Sequence, residues 1–313
     1  MFLCCGDALF DLFSEPESDV SKIMLAGRVG GSPLNVAMGL ARLGQPVGYF
    51  TKLSGDAFGL RIRAFMEREA IATNHLIPTE RHTTLAVVSL SASGSPTYDF
   101  YVEGTADRSI ERSDLPATLP EAVEAIHIGS YTTVTEPTAS ALQALVDREA
   151  GRRFISYDPN IRASIEPDLD LWRERVAKVV PKASLVKASD EDLALLFPGK
   201  DPAAVAADWI AAGAALAVVT RGEKGAIALA RSGARAEVPG LTVTVADTVG
   251  AGDTFQAALL TKLKEDAMLS RQALEAIDGT ALGALLGFAV KAAAITCSRR
   301  GADLPRRADL GLA

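Results

Sequence analysis

The chain has few residues of the kinds that build disulfides or metal centres. Three cysteines and three histidines occur among its 313 residues. Cys4 and Cys5 are adjacent and Cys297 lies far from them, so the thiols form neither a disulfide framework nor a metal-ligand spacing. The histidines stand apart, and none belongs to a pattern such as H-E-x-x-H. Zinc hydrolysis and Cys/His catalysis therefore have no local support in the sequence.

Positive charge is also in short supply. Lys and Arg number 32 against 39 Asp and Glu, which gives a formal net charge of −7. Nucleic acids and anionic membranes select basic surfaces, so we expect neither as a partner. The first residues, M-F-L-C-C-G-D, lack the basic start of a signal peptide. We therefore expect a soluble, cytoplasmic protein.

Long apolar runs are scarce, although 48% of the residues are hydrophobic. The most apolar segment, 281–297, contains Lys291 and is rich in Ala and Gly. This composition favours a buried helix over a membrane span. A chain of this length and hydrophobic content can bury a large core.

Short apolar runs bounded by polar turns alternate with amphipathic stretches along the chain. The runs that predict strands are 2–5, 47–52, 125–128, 154–158, 185–187, 215–220 and 225–229. The stretches that predict helices are 34–43, 57–69, 139–148 and 171–180. Such alternation predicts an α/β fold with a mostly parallel sheet covered by helices on both faces. Ligands then bind at the carboxyl ends of the strands.

Residues 83–102 interrupt this alternation. Their pattern predicts a hairpin around residues 93–96 rather than a strand–helix unit. Together with parts of 9–24 the hairpin can form a small sheet that stands off the main layer. Such a sheet would serve as a lid or as a dimer contact through its exposed edge.

The segment 246–256, A-D-T-V-G-A-G-D-T-F-Q, places a carboxylate behind a glycine-built turn. Residues 241–245 alternate as a half-buried strand would, and the apolar residues after the turn repeat at helical spacing. Gly250 and Gly252 allow a sharp turn and leave amides free at a helix N-terminus, where anions such as phosphate bind. Asp253 could take a proton from a hydroxyl that attacks a phosphorus held there, which is a kinase arrangement.

This turn is open to other interpretations besides that of a kinase. Asp253 could simply cap the helix. The dinucleotide fingerprint needs Gly where Phe255 stands, and the P-loop needs G-K-[ST], which is not found at this turn. Nearer the start, A-G-R-V-G-G-S-P-L-N again sets paired glycines before a helix, and Asn35 offers a donor and an acceptor suited to sugar hydroxyls. A glycine-rich turn with a local role for Asn35 is the plainer alternative.

These two motifs, G-G-x-x-x-N-V-A and D-T-V-G-A-G-D-T-F, resemble those of the PfkB, or ribokinase-like, carbohydrate kinases, in the same order and over nearly the whole chain. The resemblance implies a ribokinase-like three-layer α/β/α core with a small β-sheet lid. It also implies a single domain over 1–313, with the lid inserted from about 9–30 and 83–110. The implied reaction is transfer of the ATP γ-phosphoryl group to a sugar hydroxyl. Asp253 would be the base, and Gly250, Ala251 and Gly252 would form the anion hole.

The same resemblance implies roles for further residues. The implied sugar-binding residues are Asp11, Gly30, Gly31, Asn35, Tyr101 and Arg162. The implied nucleotide-binding residues are Lys187, Ser189, Thr220, Gly222 and Gly225. Asp247 and Val249, with the R-R-G-A segment at 299–302, match a loop for a monovalent cation, K⁺.

The magnesium motif departs from the ribokinase pattern. Ribokinase-like members carry N-x-x-E, whereas Ser189 and Asp192 occupy those places here, in K-A-S-D-E-D. Fructokinases have a similar K-x-S-D-E form, usually with a final Glu. Asp192 is one methylene shorter, and we expect Mg²⁺ dependence to persist through water. A solvated acidic helix start is the alternative for these residues.

The lid pattern F-Y-V-E-G-T-A-D at 100–107, with D-P-N-I-R and K-A-S-D-E, favours fructose as the sugar. 2-Keto-3-deoxygluconate kinases and ribokinases share much of this plan, and the keto acid would want an extra cation, for which Arg28 and Arg108 are candidates. Tyr98, Phe100 and Tyr101 leave a nucleoside kinase open. A non-catalytic sugar or nucleotide sensor is an alternative of another class. The implied partners are the sugar, ATP and a second copy bound through the lid.

Overall fold

The computed structural model describes residues 1–15, 19–90 and 96–312, and strands alternate with helices along them. The strands are β1 (Phe2–Cys5), β2 (Leu9–Glu15), β3 (Met24–Gly30), β4 (Val47–Ser54), β5 (Leu76–Thr79), β6 (Thr84–Leu90), β7 (Pro96–Tyr101), β8 (Ala125–Gly129), β9 (Phe154–Asp158), β10 (Leu185–Ser189), β11 (Leu216–Thr220), β12 (Ala226–Ala230) and β13 (Arg235–Val238). The helices are α1 (Ser32–Arg42), α2 (Ala57–Arg68), α3 (Thr138–Glu149), α4 (Leu169–Val179), α5 (Asp190–Leu196), α6 (Pro202–Ala212), α7 (Ala251–Glu265), α8 (Arg271–Leu274) and α9 (Gly279–Cys297).

The main sheet has nine strands within the described residues, in the order β13-β12-β11-β10-β9-β8-β1-β4-β5. The strands from β5 to β11 in that order are parallel, and β12 and β13 add an antiparallel edge. Parallel strands need crossover connections, which the helices supply. The predicted three-layer α/β fold with a mostly parallel sheet is confirmed.

Side-chain alternation along the strands builds one apolar core on each face of the sheet. In β1, Phe2 and Cys4 join the core beneath α1, α7 and α9, whereas Leu3 and Cys5 join the core beneath α3, α4 and α6. Because both faces are covered, the central strands are apolar on both sides rather than alternating between apolar and polar. Cys4 and Cys5 lie within these cores, Cys297 is partly buried, and all three are free thiols.

A second sheet of four strands, in the order β3-β2-β6-β7, is formed by the described parts of 9–30 and 84–101. β6 and β7 pair antiparallel as the predicted hairpin, and β2 lies parallel to β6. Most of the turn predicted around residues 93–96 lies outside the described residues. We call this four-stranded sheet the lid sheet.

One predicted strand is wrong. Residues 241–245 alternate apolar and hydroxyl side chains, but they form an irregular segment in the structure. This segment follows the antiparallel edge of the main sheet and leads to the N-terminus of α7, and two of its apolar residues are largely exposed: Leu241 and Val245. Alternation predicts a strand only where a neighbouring strand accepts its hydrogen bonds.

Helix α9 contains the apolar segment that we expected to be a buried helix. Within the described residues it is the one helix whose length and composition would allow it to cross a membrane. It packs against α7, β12 and β13, and Leu282, Leu286 and Ala289 are fully buried. This packing is that of a core helix.

Candidate active site

A cavity of about 900 Å³ lies where the central parallel strands end. Its walls include residues at or just after the carboxyl ends of four adjacent strands: Ser130 after β8, Asn160 and Arg162 after β9, Ser189 of β10 and Thr220 of β11. The lid sheet contributes Asp11 and Phe100 to the cavity, and α7 contributes its first turn. The polar residues selected from the two sequence motifs are thus brought to one place.

The N-terminus of α7 forms a cradle of free backbone amides at the cavity wall. Gly250 caps the helix with φ of 77°, a left-handed conformation that glycine adopts without strain. A Cβ atom at Gly250 would lie 2.8 Å from the Cβ of Ala302, so no larger residue fits there. The Ala251 amide donates to the Thr248 carbonyl at 3.2 Å, whereas the amides of Gly252 and Asp253 have no acceptor among the described residues. These two amides lie at the positive end of the helix dipole.

Asp253 lies in the first turn of α7 and is 7% exposed, with its carboxylate held by two side chains of α1. The Ser32 hydroxyl donates to Oδ1 at 2.7 Å, and the Asn35 amide donates to Oδ2 at 2.8 Å. Helices α1 and α7 pack together, which brings residues far apart in sequence into contact. The helix-cap interpretation of Asp253 gains no support, since no side-chain cap hydrogen bond is formed at the α7 N-terminus and its carboxylate is bound by α1 instead.

The buried ammonium group of Lys187 lies beside the amide cradle. The Lys187 ammonium pairs with Asp158 at 2.7 Å, and a Cβ atom at Gly252 would lie 3.1 Å from Lys187 Nζ. Burial alone would lower the pKa of Lys187, but the charges of Asp158, Asp192 and Asp253 outweigh it and raise the pKa. Lys187 is therefore protonated, and it adds positive charge where an anion would bind the α7 amides.

The end of the cavity under the lid sheet carries most of the residues predicted to bind sugar. Asp11, Gly31, Asn35 and Arg162 line it, and Gly30 lies directly against the Asp11 carboxylate. Burial raises the pKa of Asp11 to about 6, with Arg162 opposing the shift and Asp253 adding to it. Carboxylate, amide and guanidinium groups supply both the acceptors and the donors that a polyhydroxylated ligand requires.

Tyr101 does not lie in this cavity. It is 62% exposed, and its neighbour Phe100 lines the cavity instead. Successive residues of a strand point to opposite faces of the sheet, so only one of the two can face the ligand. The sequence motif identified the correct strand, and the structure favours Phe100 over the predicted Tyr101.

The other end of the cavity is lined by the residues predicted to bind nucleotide: Lys187, Ser189, Thr220, Gly222 and Gly225. Thr220 ends β11, and the two glycines flank the turn between β11 and β12. Apolar side chains from the irregular segment and from α9 cover this end, among them Leu241, Val245 and Val290. A flat apolar group joined to a charged one would suit such a surface.

Asp192 caps α5 together with Ser189. The Ser189 hydroxyl accepts from the Asp192 amide at 3.0 Å, and the Asp192 carboxylate accepts from the Ser189 amide and from Ile161 N. The described residues contain no group of three or more acids, histidines or cysteines placed to hold a metal ion. Asp192 lines the cavity together with Asp190 and Glu191. A few carboxylates that do not form a closed ligand set fit an ion that keeps most of its ligands as water and phosphate, as Mg²⁺ does.

The loop predicted to hold a monovalent cation is closed by hydrogen bonds to Asp247. Its carboxylate accepts from Val249 N at 3.0 Å and from Gly301 N at 2.9 Å, which joins this loop to the R-R-G-A segment. Val249 lines the cavity, whereas Asp247 lies behind it. The structure therefore brings together both segments that the resemblance pairs.

Several cavity residues were passed over in the sequence. Asp7, Ser32, Asp158 and Asn160 lie within or beside the same motifs but were not among the predicted site residues. Burial raises the pKa of Asp7 to about 7, with the nearby Asp107 adding to the shift, and Asp7 accepts from the Ser32 amide at 3.1 Å. Taking every polar residue of the motifs as a candidate would have included these four residues.

The α/β fold and a cavity that joins a buried carboxylate to an anion cradle beneath a β lid are those of a sugar kinase. The chain belongs to the pfkB family of carbohydrate kinases, because the family model matches residues 2–309. This membership confirms the family that the two sequence motifs indicated.

Individual relatives agree with the family assignment. The chain is 38% identical over 282 residues to a fructokinase of Rhizobium leguminosarum bv. trifolii, covering 90% of this chain and 85% of that protein. It is similar to the crystal structure of a fructokinase with bound ATP from Xylella fastidiosa, with a TM-score of 0.89, 26% identity, and 99% and 96% of the two chains covered. It is also similar to a Vibrio cholerae O395 fructokinase double mutant bound to fructose, ADP and potassium ion, with a TM-score of 0.82, 25% identity, and 99% and 96% covered.

Proposed function

We propose that this carbohydrate kinase transfers the γ-phosphoryl group of ATP to a hydroxyl of fructose. The observation that carries the choice of sugar is the 38% identity to the Rhizobium fructokinase across nine-tenths of the chain. The cavity is consistent with this choice, since its lid end offers Asp11, Asn35 and Arg162 to a neutral polyol.

The geometry of the cavity supports the following roles in this proposal. Asp253 accepts the proton of the attacking hydroxyl as the new oxygen–phosphorus bond forms and the bond to the β-phosphate oxygen breaks. The α7 amides and Lys187 stabilise the charge that spreads over the transferred group. Asp11 and Arg162 orient the sugar, and closure of the lid sheet excludes water from the site.

We propose ATP as the donor and Mg²⁺ and K⁺ as the ions. The Xylella structure, whose title names bound ATP, and the Vibrio structure, whose title names potassium ion, support the donor and the monovalent ion. Mg²⁺ would neutralise charge on the nucleotide phosphates, with Asp192 reaching it through water. Asp247 and Val249 would lie at the K⁺ loop.

We also propose that the chain is one kinase domain, that it acts in the cytoplasm, and that two copies pair through their lid sheets. β3 is an edge strand, and it carries exposed apolar residues: Met24 is 54% and Leu25 is 38% exposed, beside Ile23 at 63%. An apolar edge strand of this kind is a ready pairing surface.

The alternative acceptors gain no support. A keto acid substrate would want an added cation, but Arg28 and Arg108, the two candidates, do not line the cavity. Arg108 instead pairs with Glu103 at 2.8 Å. Ribose and nucleoside substrates are not favoured, because relatives of high sequence similarity, such as the Rhizobium protein, are fructokinases. A sensor without turnover is not favoured by family membership together with an intact cradle and carboxylate.

The test is ATP consumption with Mg²⁺ on equal concentrations of fructose, ribose, 2-keto-3-deoxygluconate and adenosine. We expect kcat/KM for fructose to exceed that for each other acceptor by at least about 100-fold, because mismatched polar groups in a buried site are strongly rejected. Preferred turnover of another acceptor would overturn the choice of sugar and retain the kinase. Sugar binding without turnover on any acceptor would favour the sensor.

A further inference from the structure

A chain of three side chains leads from the end of β9 to the Asp253 carboxylate. Asn160 Nδ2 donates to Ser32 Oγ at 2.6 Å, and Ser32 Oγ donates to Asp253 Oδ1 at 2.7 Å. Ser32 and Asp253 are buried, at 6% and 7% exposure. Asn160 and Ser32 lie 128 positions apart in sequence, and Ser32 and Asp253 lie 221 apart, so this arrangement is created by the fold.

The direction of these hydrogen bonds is fixed by proton inventory. The amide nitrogen of Asn160 only donates, and an ionised Asp253 carboxylate only accepts. The single Ser32 proton must therefore point to Asp253, since its oxygen already accepts from Asn160. Turning this proton toward a ligand would break the hydrogen bond to Asp253.

The backbone fixes both ends of this chain as well. Asn160 adopts a positive φ of 41°, which asparagine tolerates better than most residues and which directs its side chain at α1. Ser32 is the first residue of α1, and its amide is held by Asp7 at 3.1 Å. Ser32 is thus tied from three directions to Asp7, Asn160 and Asp253.

The two carboxylate oxygens of Asp253 therefore have different hydrogen-bond partners. Oδ2 is bound by Asn35, which lines the sugar end of the cavity, whereas Oδ1 is bound by Ser32 Oγ, whose one proton is committed to this bond. We propose that Ser32 and Asn160 are positioning residues, which lock Oδ1 of Asp253 so that Oδ2 faces the acceptor hydroxyl. This proposal depends on kinase activity of the protein and is independent of which sugar is preferred.

The first test is Ser32→Ala, assayed with whichever sugar the wild-type protein phosphorylates best. We expect kcat to fall about 10- to 100-fold, as for loss of a hydrogen bond to a charged group. KM for the sugar should change by less than about twofold, because Ser32 acts on the base rather than on the ligand. Ser32→Thr, which keeps the hydroxyl, should restore kcat to within about threefold. A raised KM with unchanged kcat would make Ser32 a sugar ligand and overturn the proposal.

The second test is a double-mutant cycle of Ser32→Ala and Asn160→Ala. If Asn160 acts on Asp253 only through Ser32, Asn160→Ala should lower kcat in the wild type and have no further effect in Ser32→Ala. Losses that multiply in the double variant would show independent action and overturn the proposal.

A matched control and a folding check accompany the cycle. Ser113→Ala removes an exposed serine hydroxyl that contacts Glu111 and does not line the cavity, and it should leave kcat unchanged. Sugar affinity by calorimetry without ATP reports whether each variant retains the folded cavity. Retained affinity with lost kcat is the expected result for Ser32→Ala, whereas lost affinity in both Ser32→Ala and Ser32→Thr would contradict the positioning role.

Discussion

The orientation of the Asp253 carboxylate depends on residues that are distant from it in sequence. It stands one turn into α7, yet both its carboxylate oxygens are held by α1, from Ser32 and Asn35. A base must be aimed as well as present, since proton transfer requires the carboxylate within hydrogen-bonding distance of the reacting hydroxyl. In the proposed mechanism, the distance between α1 and α7 therefore affects how the base is aimed.

Replacing Gly250 by alanine should carry two costs in stability, one from its positive φ and one from a steric clash. Gly250→Ala combines a positive φ of 77° with a clash against Ala302, and we expect it to lower the free energy of unfolding by about 2–4 kcal/mol. Gly199→Ala, with φ of 78° and open space, should cost about 1–2 kcal/mol. Gly283→Ala, in helix α9 with open space and no positive φ, should stabilise by about 0.4–1 kcal/mol. Urea unfolding of the three variants gives the order, and a Gly250→Ala cost no larger than that of Gly199→Ala would contradict the packing against Ala302.

At the scale of elements, the lid strand β7 presents one face to the cavity and the other to solvent. We expect Phe100→Ala to raise KM for the sugar about 10-fold, because it removes an aromatic wall from the site. Tyr101→Ala should change KM by less than about twofold, since Tyr101 is 62% exposed. Steady-state kinetics at saturating ATP measures both values. A larger effect at Tyr101 would support the residue that the sequence motif indicated.

Helices and strands were predictable from the sequence where the periodicity of apolar side chains agrees with the strand pairing in the fold. Strand β1 was predicted with its observed bounds, because Phe2–Cys5 is a short apolar run that both cores cover. Residues 241–245 have the pattern of a strand but form an irregular segment along the cavity wall, and no local pattern reports that. β13 was missed because Arg235–Val238 is short and only half-buried.

Site residues were predictable where a sequence motif indicates its chemistry by itself. They were not predictable where their role depends on contacts between separate segments of the chain. G-A-G-D indicates an anion cradle with a carboxylate from sequence alone. The link from Asn160 through Ser32 to Asp253 joins three separate segments, so no spacing could reveal it. Lys187 was selected from a motif, but its partner Asp158 and its place beside Gly252 needed the fold.

At the scale of the whole molecule, the lid sheet ends in an exposed apolar edge strand, β3. If two copies pair through β3, replacing Ile23 and Met24 together by Lys should convert a dimer into a monomer in light scattering, since buried like charges oppose pairing. Leu171→Lys, on α4 at 42% exposure, is the control and should leave the mass unchanged. A wild-type protein that is already monomeric would contradict pairing through the lid.

Stability of the whole molecule should fall as pH rises from about 4 to 7. Asp7 has a folded pKa raised to about 7 by burial and by Asp107, so the folded state keeps a proton that the unfolded state has released. Unfolding free energy therefore declines with pH by up to about 1.4 kcal/mol per unit from this group. Asp7→Asn should make that decline shallower, as measured by urea unfolding between pH 4 and 8.

Asp19→Asn is the control for this pH series. Asp19 is exposed, and the Ser21 hydroxyl and amide lower its pKa, so its titration falls below this range and the variant should keep the wild-type slope. An unchanged slope in Asp7→Asn as well would show that Asp7 ionises alike in the folded and unfolded states.

The most direct measurement is turnover by Asp253→Asn, with sugar affinity measured in parallel by calorimetry. Asn has nearly the shape of Asp but accepts no proton, so kcat should fall by about 10²–10⁴-fold while the sugar still binds. This result would identify Asp253 as the base of a sugar kinase whose cradle and cavity are intact. Turnover at the wild-type rate in Asp253→Asn would contradict the assigned mechanism.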